Sequence, residues 1–227
     1  MDARHKAGHD EQSGRMLDEL DAGTLIERSG IPRAPVLVID AGITRTPALP
    51  FPYPVVVKAL TAEIAHKTEA GGVVLNVADG DALLKAIKTI RSNVAQAMPH
   101  TSVPRVLVQP MVSGVGEALI GYRVDPAVGP LVMVAAGGIL TEIYRDRSLR
   151  LAPVDLATAK EMIAEVRGFA ALAGFRGRPK GDLDALADAI VAMSKLAGDP
   201  SIAEAEINPL IVRTDGVVAV DALVKLV

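Results

Sequence analysis

The sequence predicts an α+β (α/β) fold on three observations. Aliphatic runs of strand length recur along the chain, at Val55–Val57, Val73–Val77, Val106–Val108 and Leu131–Ala135. Around them lie stretches with helical spacing, three of them opened by an aspartate able to cap a helix. Near the C-terminus, Asp215-Gly216 separates two β-branched runs, the strongest hairpin signal in the chain. A length of 227 residues suits one large domain or two joined lobes. A chain of this size buries about 70% of its unfolded surface and folds without a disulfide or metal staple.

Each element has its own reason. Residues 16–28 carry apolar side chains at 17, 20, 25 and 26, with Gly30 as a stop signal, and predict a helix. Val36–Ile39 predicts a short strand, and the Pro-rich stretch 43–54 a connector. Val55-Val56-Val57-Lys58 reads as a buried strand ending in a charge, residues 60–72 as a loop, and Val73–Val77 as the next strand. Asp79 or Asp81 caps a helix with the stripe Leu84, Ile87, Ile90, Arg91 and Val94, closed by Pro99. Strands are expected at Val106–Val108, Glu117–Arg123, Leu131–Ala135 and Ile139–Tyr144. Helices follow at Asp155–Val166 and Asp182–Leu196, then the hairpin of Ile207–Arg213 and Val217–Val224.

Composition narrows the function. Lys and Arg number 24 against 27 Asp and Glu, a net charge of −3, so nothing favours nucleic acid or an anionic membrane. The absence of cysteine excludes thiol nucleophiles, disulfides, Cys-ligated zinc and iron–sulfur clusters. The four histidines, at 5, 9, 66 and 100, are too scattered for a His-rich metal site. No apolar run approaches the ~18 residues of a membrane span, and the first fourteen residues lack the apolar segment of a secretory signal. A cytoplasmic protein is expected, with residues 1–15 a disordered, solvated tail.

Ionisable residues interrupting apolar strands mark the candidate site, because burying an unpaired charge is expensive. Lys58 closes one strand, Asp221 sits inside another, and Glu206 and Asn208 flank Ile207. A two-residue turn at Asp215-Gly216 would pair 214 with 217, so Asp221 would face Leu210 with Asn208 its diagonal neighbour and Glu206 next along. A carboxylate and an amide oxygen could then converge on a hard cation such as Mg2+. A three-residue turn would put the two on opposite faces, and Pro209 argues for an irregular or edge strand. The alternative is that both are solvated at strand ends. Lys58 reads either as a snorkelling strand-end lysine or as a phosphate partner. The loop His66-Lys67-Thr68-Glu69-Ala70-Gly71-Gly72 can offer backbone N–H groups to phosphate, although most Gly-Gly pairs are only turns. His66 is an ordinary loop histidine or a phosphoryl acceptor. Neither a Walker A sequence nor a GxGxxG after a strand is present.

Three stretches carry a resemblance: PVVVKALTAEIAHKTEAGGVVL at 54–75, VLVQPMVSGVGEALIGYRVDPAVGPLVMVAAGGILTEIYRDRSLRLAP at 106–153 and EAEINPLIVRTDGVVAVDALV at 204–224. In order and content they resemble the ATP-grasp (beta) component of the NDP-forming acyl-CoA synthetases, the ADP-forming acetyl-CoA synthetase group, and more distantly the beta subunit of succinyl-CoA synthetase. The resemblance implies an ATP-grasp fold whose two lobes hold the nucleotide between them, residues 16–108 forming the N-terminal lobe and 109–227 the hinge and C-terminal lobe.

It also implies roles. Lys58 would contact the phosphates of ATP or ADP, and the loop containing Lys67, Thr68, Gly71 and Gly72 would close over them. Gln109, Met111 and Val112 would form the hinge reading the adenine, Glu117 would bind the ribose, and Asn208 and Asp221 would hold Mg2+. His66 resembles a phosphoryl relay, and Glu206 the acid that positions an incoming phosphohistidine carried by a separate CoA-binding alpha subunit. Glu69, Thr61, Ala135 and Val128 depart mildly from the family pattern. Glu142, Asp146 and Arg150 match family positions whose roles the sequence leaves open.

The implied function is the nucleotide-binding component of an ADP-forming acyl-CoA ligase for a short organic acid, Mg-dependent and inactive for full turnover without its partner. The alternatives are a non-catalytic ATP-binding regulatory subunit and an ATP-grasp carboxylate–amine ligase.

Overall fold

A computed structural model describes residues 14–64, 67–138, 146–177 and 179–227, apart from the Phe175 side chain. The expected strand at 139–144, together with His66 and Glu142, lies outside the described residues.

Two antiparallel sheets organise the chain. The first contains β1 (Leu37–Asp40), β2 (Val55–Leu60), β3 (Val73–Val77) and β4 (Arg105–Pro110), in the order β1-β4-β2-β3. All six residues of β2 are buried, so Lys58 lies within the molecule's interior rather than at a wet strand end. Helix α2 (Gly80–Ala97) starts where the Asp79 carboxylate accepts from the Ala82 N–H at 2.8 Å. Its buried stripe is Leu83, Ala86, Ile87, Ile90 and Val94, one position earlier at its start than the expected Leu84. That stripe packs with Val55, Val57, Val106 and Val108 into one core.

The second sheet runs β10-β8-β5-β6-β7, with β9 also paired to β8. Its strands are β5 (Gly116–Asp125), β6 (Gly129–Ala136), β7 (Arg147–Leu151), β8 (Ile202–Arg213), β9 (Gly216–Ala219) and β10 (Ala222–Leu226). One face is covered by α3 (Leu156–Glu165) and α4 (Leu183–Ser194). Met162, Leu186, Ile190 and Met193 meet Ile120, Tyr122, Val132 and Val134 there. Side chains alternate along a strand, so Gly121, Arg123, Leu131 and Met133 face the other way. With Arg147, Leu149, Glu204 and Glu206 they line an open cavity of about 270 Å³.

Helix α1 (Glu19–Arg28) comes first in the chain, yet Ala22 and Ile26 belong to the core of the second sheet. The segment before it runs beside β10, the Leu17 N–H reaching Val224 O at 3.0 Å and the Leu226 N–H reaching Arg15 O at 2.9 Å.

The C-terminal hairpin differs from expectation. Arg213 pairs with Gly216, so the turn is Thr214-Asp215, and Gly216 opens the return strand at φ 136°. The pairing is displaced by two residues, with Leu210 opposite Ala219 rather than Asp221. A shift of two preserves which face each side chain occupies, whereas a shift of one would have reversed it. The expected single strand 217–224 is also broken at Val220-Asp221, because β8 changes partner at Pro209. Proline has no N–H for a ladder. Across the break the Val220 N–H donates to Pro209 O at 3.3 Å and the Asn208 N–H to Asp221 O at 3.4 Å. Asp221 and Asn208 are therefore direct cross-strand neighbours, closer than the expected diagonal.

Candidate functional site

The break between β9 and β10 faces the first sheet and builds a charged cluster. The Val220 carbonyl accepts from Lys58 Nζ at 2.6 Å and from Gln109 Nε2 at 2.9 Å. Lys58 comes from the centre of β2 and Gln109 from the end of β4, and both side chains are buried. Lys58 Nζ also donates to Glu19 Oε1 at 2.6 Å and lies 3.4 Å from Asp221 Oδ2. Lys67 Nζ lies 3.1 Å from Glu19 Oε2 and 3.7 Å from Asp221 Oδ1. Two ammoniums and two carboxylates thus interlock where the two sheets meet.

Burial sets the electrostatics. Desolvation raises the pKa of Glu19 above the usual glutamate range, with nearby Asp221 adding to it, against the opposing pull of Lys58 and Lys67. Desolvation opposes the charge of Lys67, but Glu19 and then Asp221 outweigh it and hold that ammonium above the usual lysine range.

Lys67 and Asp221 pass from this cluster into a cavity of about 200 Å³, which they line with Thr68, Glu69, Glu206, Asn208, Ala222 and Leu223. The cavity holds hard oxygen donors beside cationic nitrogen, a set suited to a phosphate–magnesium complex. No group of three or more His, Cys, Asp or Glu among the described residues is placed to hold a metal. Asn208 and Asp221, which line this cavity together, therefore fit an ion that takes its remaining ligands from phosphate and water.

The loop that brings Lys67 here is held by its glycines. The Gly72 N–H donates to Lys67 O at 2.7 Å and the Gly71 N–H to Thr68 O at 3.1 Å, so both amides are engaged within the loop. Gly71 sits at φ 65°, and a Cβ there would lie 2.8 Å from the Asn93 Cβ. Asn93 Nδ2 in turn donates to Gly71 O at 3.1 Å, fixing the loop to α2.

The structure joins Lys58, Lys67, Thr68, Glu206, Asn208 and Asp221 through the cluster and its cavity. Gln109 joins the same cluster through Val220 O, whereas Met111, Val112 and Glu117 do not. Met111 is exposed where the chain leaves the first sheet, its N–H donating to Pro54 O at 3.1 Å, and Val112 is half-buried beside it. Glu117 is exposed near the start of β5, and its carbonyl accepts from the Gly137 N–H at 2.7 Å. A Cβ on Gly137 would come within 2.5 Å of the Glu117 Cβ, so only glycine permits that approach. The Gln109 side chain is turned onto Val220 O and so away from the adenine-reading role expected of it.

Two residues whose roles the sequence leaves open make contacts within the scaffold. The Asp146 carboxylate accepts from the backbone N–H groups of Arg167 and Gly168, at 3.0 and 2.6 Å. Arg150 pairs with Glu165 of α3, which also accepts from the Ser148 hydroxyl at 2.5 Å. Glu19 is the functional candidate that sequence reasoning missed. Its signal was the spacing 19, 22, 23, 26, which places it on the buried stripe of α1.

Residues 9–226 match the model of the ATP-grasp domain family. This chain is a member of that family. Acetate–CoA ligase [ADP-forming] I subunit beta of Pyrococcus furiosus is 39% identical over 171 residues, covering 75% of this chain and 74% of that one. Acetate–CoA ligase [ADP-forming] I of Archaeoglobus fulgidus is 38% identical over 212 residues, 92% of this chain. The ATP-grasp chain spans only 31% of that longer enzyme. Among solved structures, acetyl-coenzyme A synthetase 1 of Ca. Korarchaeum cryptofilum, in complex with coenzyme A and Ca-AMPCP, superposes with a TM-score of 0.86 at 32% identity over 94% of both chains. The same synthetase is described with Mg-AMPPCP and a phosphohistidine segment pointing towards the nucleotide binding site, at a TM-score of 0.77 and 32% identity, covering 94% of this chain and 93% of that one. Among the described residues no helix is long and apolar enough to cross a membrane.

Proposed function

We propose that this ATP-grasp domain is the nucleotide-binding component of an ADP-forming acyl-CoA ligase. In this reading it moves a phosphoryl group between ATP or ADP and a histidine carried by a separate CoA-binding alpha chain. The observation that carries the reading is the cavity beside the β9–β10 break, where Lys67, Asn208, Asp221 and Glu206 converge.

Phosphoryl transfer asks mainly for positioning and charge neutralisation, with little covalent chemistry from the protein. Lys67 reaches the cavity directly, and Lys58 supports it from behind Asp221. Thr68 offers a hydroxyl to phosphate oxygen. Asn208 and Asp221 are the residues to hold Mg2+, which neutralises phosphate charge when bound. Glu206 borders both this cavity and the open cavity over β5 and β6, so it stands between a nucleotide and anything approaching from the open side. That is the place for a carboxylate to orient an incoming imidazole. Met111 and Val112, which follow the last strand of the first sheet, and the exposed Glu117 at the start of β5 are proposed to bind the nucleoside. His66, outside the described residues, immediately precedes Lys67 and is proposed as a second phosphoryl carrier.

The test is transfer itself. The chain is mixed with γ-labelled ATP, Mg2+ and a CoA-binding alpha chain, and acid-labile label on histidine is measured. Label on the alpha chain, lost with Asp221→Asn, is expected. Tight nucleotide binding without label on either chain would contradict transfer and leave a non-catalytic binding subunit.

A further inference from the structure

Glu19 is buried at the centre of the charged cluster, yet it lines neither the 200 Å³ cavity nor the open one. Its two oxygens are divided between two lysines from different segments, Oε1 at 2.6 Å from Lys58 Nζ and Oε2 at 3.1 Å from Lys67 Nζ. Lys58 has three protons and three acceptors around it: Glu19, Val220 O at 2.6 Å and Asp221 at 3.4 Å. The first two contacts are short, and the one to Glu19 is buried. The third is long and points to the one member of the set that opens on the cavity. Lys67 repeats the pattern, with its shorter contact to Glu19 and its longer one, 3.7 Å, to Asp221. In both lysines the shorter carboxylate contact is to buried Glu19 and the longer one to Asp221, which opens on the cavity.

We propose that Glu19 is a positioning residue for phosphate recognition, a rear anchor on α1 that fixes both lysines, Lys67 where it faces the nucleotide phosphates and Lys58 where it backs Asp221. This inference rests on the nucleotide-binding reading above and extends it to a helix that precedes every stretch from which the site was read. The physical need is plain. Two ammoniums that close repel one another, and a loop lysine loses about 2 kcal/mol of side-chain freedom when it is fixed. A shared carboxylate offsets the repulsion and fixes both heads before a ligand arrives, so binding does not have to order them.

A purely structural Glu19 would affect all ligands alike through folding. A positioning Glu19 affects only ligands that carry phosphate. The experiment is calorimetric titration of wild type, Glu19→Gln and Glu19→Asp with ADP plus Mg2+ and, separately, with adenosine, with thermal unfolding recorded for each variant. Glu19→Gln preserves size and one hydrogen-bond acceptor, so it is the variant suited to folding; Glu19→Asp keeps the charge and supplies the rescue. The ratio of ADP to adenosine affinity is expected to fall about tenfold in Glu19→Gln and to recover in part in Glu19→Asp, with adenosine affinity unchanged. A ratio equal to wild type in folded Glu19→Gln overturns the proposal. A raised ratio also overturns it, making Glu19 a competitor of the phosphates. Failure of wild type to bind ADP with Mg2+ overturns the nucleotide reading instead.

Discussion

Replacing Lys58 by methionine tests the energetic heart of the cluster. The Lys58 and Glu19 side chains are only 6% and 5% exposed, so their 2.6 Å contact is a buried ion pair. Removing one partner of such a pair costs about 3–5 kcal/mol, because a buried charge is left uncompensated. Two features of this site lower that figure: Glu19 keeps Lys67 at 3.1 Å, and Val220 O keeps Gln109 at 2.9 Å. A loss near 3 kcal/mol is expected, at the lower end of the range. With a urea m-value of about 2–3 kcal/mol per molar for a chain of this size, the midpoint falls by about 1–1.5 M while the slope is unchanged. Replacing both partners, Glu19→Leu with Lys58→Met, removes the carboxylate that the single variant leaves short of a partner and recovers part of the loss, since apolar replacements of buried pairs are often neutral and Lys67 keeps Asp221 at 3.7 Å. The assay is urea unfolding followed by circular dichroism. A single variant within about 0.5 kcal/mol of wild type would refute the reasoning, as would a double variant less stable than either single one.

Two other perturbations separate scaffold from site. Gly137→Ala places a Cβ 2.5 Å from the Glu117 Cβ and 2.8 Å from its carbonyl carbon, which must displace the start of β5. A stability loss of about 1–3 kcal/mol is expected, together with weaker nucleoside binding; an unchanged midpoint would show that the strand yields freely. Asp182→Ala removes the carboxylate that accepts from the Ala185 N–H at 2.9 Å and caps α4. It should cost about 1 kcal/mol, or about 2–4 °C in Tm, without changing nucleotide affinity; a changed affinity at constant stability would count against that separation.

Much of the fold was legible because its signals are local. Asp79, Asp155 and Asp182 each accept from the backbone N–H three residues on, and the helices begin where those caps place them. Val73–Val77 is a strand over the expected residues. The errors arose where partners distant in sequence decide. Strand β8 begins at Ile202, well before the expected Ile207, because β5 and β10 pair with residues 204–207 and override the glutamates there. Strand β7 was missed since Arg147 and Arg150 disguise an edge strand that, among the described residues, pairs only with β6.

At the site, the convergence of Asn208 and Asp221 was anticipated from a hairpin register displaced by two residues. The inference survived because the displacement was even. Glu19 was not found because a glutamate in a first helical turn ordinarily favours the helix dipole in water. Only docking of α1 onto β10 turns it inward to meet Lys58 and Lys67, contacts that span 39 and 48 positions along the chain.

The most direct test of the central claim is calorimetric titration of the chain with ADP and with ATP, in the presence of Mg2+ and after its removal by chelator. The account predicts binding that Mg2+ strengthens and that Asp221→Asn reduces to the metal-free level. Binding of equal strength with and without Mg2+, or unaffected by Asp221→Asn, would contradict a nucleotide held at the β9–β10 break.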